Sequence, residues 1–103
     1  MATFVEFLST LNSAKQQAIF WHNQTTSFSE HKALNEFYDE IVGLLDGLVE
    51  SVAGIYGRPK GYEAYDFSDW TSTQDTIKYF QSLYKYVQES RKDLYQESWV
   101  EIN

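Results

Sequence analysis

"LNEFYDEIVGLLDGLVESV", residues 34–52, decides the fold class. Leu34, Phe37, Tyr38, Ile41, Leu44, Leu45, Leu48, Val49 and Val52 recur at steps of three and four, the period of one broad apolar helix face. Upstream, Ser27 and Glu30 have capping-box spacing, so the pattern predicts a helix over 28–54, about seven turns long. Gly43 and Gly47 lie inside it, each costing about 1 kcal/mol relative to Ala. Their four-residue spacing reads either as a close approach of another helix or as tolerated surface glycines.

Working toward the N-terminus, "NQTTS" is turn chemistry, and before it Phe4, Phe7, Leu8, Leu11, Ala14, Ala18 and Trp21 repeat the helical period. With Thr3 and Glu6 as its cap, a first helix is predicted over 4–24. Toward the C-terminus, "GIYGRPKGYEAYDFSDW" (54–70) holds three of the five glycines and the only proline. It ends the long helix and makes a connection of about 17 residues, longer than the usual link between packed helices. Tyr56, Tyr62, Tyr65, Phe67 and Trp70 predict that it packs on the bundle. Thr71 with Gln74 then caps a third helix, predicted over 72–97 through Ile77, Phe80, Leu83, Tyr84, Val87 and Leu94. No strand pattern or repeat competes, so the expectation is an all-α antiparallel bundle in one domain, 1–103. Trp99, Val100 and Ile102 read as more amphipathic sequence cut off at Asn103, so a fourth helix is expected to be missing or supplied by a partner.

Composition narrows the function. The net charge of −7 and scattered Lys and Arg disfavour nucleic acid and anionic membranes, which are bound through clustered cations. The absence of cysteine excludes disulfides, thiolate metal sites and Cys nucleophiles. No secretory signal or membrane-length apolar run is visible, so a cytoplasmic location is expected. No nucleophile elbow supports Ser-His-Asp catalysis. Tyr79, Tyr84, Tyr86 and Tyr95 read as core or interface rather than as an electron relay, and "YGRPKGYE" as a structural loop.

The two histidines, His22 and His31, flank the first turn, and a short reversal between antiparallel helices places both at one end of the bundle. Asp46 and Glu50 share a helix face at i,i+4. Fifteen residues of helix separate His31 from Asp46, about 22 Å, so the four side chains cannot hold one metal within a single chain. An antiparallel second subunit related by a two-fold axis brings them together.

At these residues the chain resembles the ferritin-like superfamily. Residues 22–58 are similar to Dps-type mini-ferritins and to small ferritin-like proteins of tailed bacteriophages. In the Dps pattern a helix-A histidine, a second histidine, an acid four residues on, and an Asp and Glu four apart supply iron ligands across a two-fold. The resemblance implies that His22, His31, Asp46 and Glu50 bind iron, or zinc, between subunits, with iron oxidation or storage and O2 or peroxide as electron acceptor. It implies a ferritin-like antiparallel bundle, a homo-oligomer, and a bacterial host cytoplasm or a virion as location. His22 lies three residues nearer the second histidine than in Dps, and Asn35 stands where the pattern has a carboxylate, which weakens a diferric centre. The rival expectation is a non-catalytic phage structural or interaction protein that keeps this scaffold and binds a phage or host protein.

Overall fold

The computed structural model of the chain describes residues 3–95, in which three helices run α1 Phe4–Gln24, α2 Phe28–Tyr56 and α3 Thr73–Tyr95. No strand occurs among the described residues, and the all-α expectation holds. The predicted end of helix three at 97, the Tyr95 side chain and the apolar Trp99, Val100 and Ile102 lie outside what is described.

Each helix starts for a local reason. Thr3 and Glu6 form the complete reciprocal box predicted for α1, both bonds at 3.2 Å. At α2, Ser27 Oγ accepts from the Glu30 amide at 3.3 Å, but the Glu30 carboxylate does not return to Ser27. The third cap falls one residue later than predicted. Ser72 Oγ accepts the Asp75 amide at 3.1 Å, while the Thr71 hydroxyl is spent on the Asp75 carboxylate at 2.6 Å. At its far end α2 passes through Gly54 and stops at Gly57, whose φ of +92° favours glycine.

α1 and α2 are antiparallel neighbours, and their apolar faces build two clusters along the molecule. One holds Phe7, Leu8, Leu11, Leu45 and Val52; the other, toward the α1–α2 turn, holds Ala18, Trp21 and Leu34. The connection 57–72 is an extended strap that climbs α1 from end to end. The Glu63 amide donates to Ser9 Oγ at 2.9 Å, Ser68 exchanges bonds with Gln17 at 2.9 and 3.0 Å, and the Trp70 amide donates to Gln24 Oε1 at 2.7 Å. This explains why Ser9 and Gln17 are buried on an otherwise apolar face: their side chains satisfy strap backbone groups, the Ser68 carbonyl also accepting from Trp21 Nε1 at 2.8 Å. The packing of the long connection is as expected from its aromatics.

Because the strap returns the chain to the histidine end, α3 descends antiparallel to α1 and parallel to α2. Ring contacts fix its register: Trp21 meets Tyr79 at 5.0 Å and Phe7 meets Tyr86 at 6.2 Å. Side-chain contacts between α2 and α3 gather near the strap end, where Phe37 meets Phe80 at 4.9 Å. The helices therefore occupy three corners of a square, with α1 between the other two. Among the described residues the fourth corner is open.

Candidate functional site

The two histidines do meet. Their rings stack with centroids 3.6 Å apart and planes 21° from parallel. His22 Nδ1 donates to the His31 carbonyl at 2.7 Å and His31 Nδ1 donates to the His22 carbonyl at 2.8 Å. A carbonyl only accepts, so each Nδ1 carries its hydrogen, and in a neutral ring each Nε2 keeps its lone pair. The pair ties the last turn of α1 to the first turn of α2 by a side-chain clasp.

A metal lies in the plane of the imidazole it binds. From the stacking distance and the tilt, these two planes intersect only about 9 Å away, against ~2.1 Å for an imidazole–metal bond. In this arrangement the two Nε2 atoms do not converge on one ion. Asp46 and Glu50 are exposed, farther along α2 on a side turned away from α1. Among the described residues no group of three or more His, Cys, Asp or Glu is placed to hold a metal. The structure thus brings His22 and His31 together and leaves Asp46 and Glu50 apart from them within the chain, as the helix length requires.

Asn35 has a use of its own. It accepts from the Tyr38 hydroxyl at 2.7 Å and donates to Asp39 at 3.1 Å. Tyr38 in turn sets its ring edge against His22 at 5.4 Å. The residue that replaces the expected carboxylate therefore orients the packing around the clasp.

Glu30 was legible only as a capping residue, and here it is a buried carboxylate, 8 % exposed. Trp70 Nε1 donates to it at 2.6 Å, Thr76 Oγ1 at 3.0 Å, and Thr73 Oγ1 through a further short bond. A buried charge is tolerable when hydrogen bonded, and its place in the first turn of α2 adds the helix dipole. These bonds join strap, α2 and α3.

Beside Glu30 a groove of about 630 Å³ opens between α2 and α3, walled by Ala33, Leu34, Phe37, Ile77, Phe80 and Tyr84. It is the start of the open corner. Ala33, Phe37, Glu40, Leu44, Gly47 and Ser51 follow one seven-residue stripe along α2, and Thr73, Ile77, Phe80 and Tyr84 begin a counterpart on α3, whose next position, Val87, packs on the cluster of Phe7, Leu8 and Leu11. Leu44 is 71 % exposed and Tyr84 66 %. A Cβ built on Gly43 or Gly47 meets nothing within 4 Å, so neither glycine serves a close helix contact among the described residues.

A family model covers residues 22–103, and the chain belongs to that family, DUF5856, a family of unknown function. No curated protein and no solved structure matches the chain.

Proposed function

We propose that this chain is a non-catalytic assembly subunit on a ferritin-like scaffold: it contributes three helices of an antiparallel bundle and accepts the fourth from another polypeptide. The observation that carries the reading is the open corner, where two helical stripes at seven-residue spacing face a groove with large apolar side chains in water. Contiguous apolar surface of this kind marks an interaction site, and an apolar groove between helices receives an amphipathic helix. The ferritin-like part is supported by the connectivity, since one full-length crossover that leaves α2 and α3 parallel is a ferritin-type link. Among the described residues no helix is long and apolar enough to cross a membrane. A phage-encoded origin, with a bacterial cytoplasm or a virion as location, belongs to the same reading.

The test is a photo-crosslinking phenylalanine derivative in place of Tyr84. The expected result is a covalent adduct to a helical polypeptide segment, and exclusive formation of solvent-quenched monomer contradicts the reading.

A second reading follows from the clasp. Histidines that ligate metals commonly donate their other ring nitrogen to a carbonyl, as both do here. In this reading His22 and His31 of one subunit and Asp46 and Glu50 of another hold iron or zinc, after the rings rotate out of their stack. Iron held there supplies ferroxidase-like redox chemistry. Zinc titration by calorimetry tests it: His31→Ala is expected to abolish binding, and unchanged affinity and stoichiometry exclude it.

A further inference from the structure

We propose that the groove receives a basic amphipathic helix of another polypeptide, running antiparallel to α2 and α3 with lysine or arginine along the edge that faces α2; this rests on the helix-accepting reading above.

Charge is the first argument. The groove's lining holds one carboxylate, Glu30, at the end where α2 and α3 begin, and no lysine or arginine. The bonds to that carboxylate come from an indole and two hydroxyls, neutral donors that share its charge without cancelling it. Two more acids line up with the wall on α2. Glu36 follows Ser29 by seven residues and Glu40 follows Ala33 by seven, so each continues a line of groove residues down the helix, and both are exposed. They also stand four apart, a like-charge pair on one helix face whose repulsion a cation between them relieves.

The α3 edge differs. Gln74, Gln81 and Gln88 recur along it at seven-residue steps and make a neutral rim, while Arg91 lies about two turns below Tyr84, beyond the groove. Charge selection therefore falls to the α2 edge.

Direction is the second argument. α2 and α3 both begin at the Glu30 end, so a helix antiparallel to both brings its C-terminus there. The partial negative charge of a helix C-terminus favours cations in its last turns, and those turns pass Glu30 and Glu36. Cations four residues apart on the incoming helix match Glu36 and Glu40 across the interface. Aliphatic residues at steps of three and four beside them cover Phe37, Ile77 and Tyr84.

The chain's own helices do not fit this description. α1 has Lys15 as its one lysine and α2 has Lys32. On α3, Lys78 lines the cavity with Trp21, Ser68 and Asp75, and Lys85 follows seven residues on along the same side, away from the apolar stripe. The occupant is therefore a different polypeptide rather than a second copy.

Two synthetic helical peptides test the assignment, each about 18 residues long with the same leucine and alanine face, one with lysine and the other with glutamate at the flanking positions. By fluorescence anisotropy the full chain is expected to bind the lysine peptide about tenfold more tightly than the glutamate peptide. Glu36→Lys with Glu40→Lys should remove that preference. Asp66→Lys with Glu89→Lys changes the net charge equally at exposed positions away from the groove and should keep it. All four positions are exposed, so circular dichroism is expected to show unchanged helicity in both double variants. Equal binding of the two peptides overturns the proposal. So does a preference that survives reversal of Glu36 and Glu40, or one that both double variants abolish, since bulk charge then accounts for it. Failure of either peptide to bind overturns it as well. The Tyr84 crosslinks separate this from the reading beneath it: adducts to a helical polypeptide segment keep the helix-accepting reading while its charge selection falls, and with no adducts both fall.

Discussion

α1 and α2 are built from similar apolar patterns and meet opposite fates. In α1, 21 residues long, eight are buried; in α2, 29 residues long, only four are. α1 is enclosed by α2, the strap and α3, and the polar groups on its buried face are all spoken for. α2 has one neighbour along most of its length and carries a second stripe that nothing among the described residues covers. Among the described residues the fold closes around α1 and stays open along α2: burial, not apolar content, separates the two helices.

The strongest way to break the comparison is to cut into the enclosed side. Leu8→Ala, at a position with no exposed surface, is expected to cost about 2–5 kcal/mol in urea denaturation. A loss below about 1 kcal/mol means that α1 is not the enclosed helix described. Next comes the strap. Gln17→Ala removes both bonds to Ser68, leaving its amide without this acceptor while its carbonyl keeps the bond from Trp21 Nε1, for a loss of about 1 kcal/mol. Limited proteolysis should then cleave within 57–72 faster than in wild type, and an unchanged rate argues against a structural strap.

A smaller effect sits where α3 meets α1. Burial raises the Tyr79 phenol above its ordinary 10.0. The folded state thus holds the phenolic proton more tightly than the unfolded state. The contribution is fully present below pH 10 and is lost as pH rises from there through the folded value. Denaturation midpoints measured from pH 8 to 11.5 should fall at the alkaline end less steeply for Tyr79→Phe than for wild type; superimposable profiles contradict the buried placement. The smallest expected effect is on the open side. Leu44→Ala, measured in dilute monomer, should change stability by no more than about 0.5 kcal/mol, since its side chain is already in water. A large loss there means that the corner is occupied within the chain.

Much of this architecture was legible from local pattern. The bounds of α1, the turn and the proximity of His22 to His31 follow from period, cap and connectivity. What resisted was competition among equally good local options. Thr71 and Ser72 both suit a cap, and the choice rests on where the Asp75 carboxylate goes. Glu30 fits a capping box, yet its carboxylate is taken by Trp70, Thr73 and Thr76, residues 40 to 46 positions away, and no local signal encodes that preference. Gly54 fits a helix stop, but the left-handed turn comes three residues later at Gly57. The clasp was half readable: spacing brings the histidines to one end, while the stacked, reciprocally bonded rings depend on side-chain rotation. The importance of Gln17 had a faint signal, a polar residue inside the apolar stripe of α1.

The most direct measurement of the central claim is thiol labelling in dilute protein. Cysteine is introduced by Ile77→Cys on the groove stripe and, as a control, by Thr26→Cys at the exposed turn. The account predicts that position 77, half exposed on the open side, reacts at a rate close to that of position 26. Protection of position 77 by about tenfold or more relative to position 26 would contradict it, because the groove would then be covered within the chain.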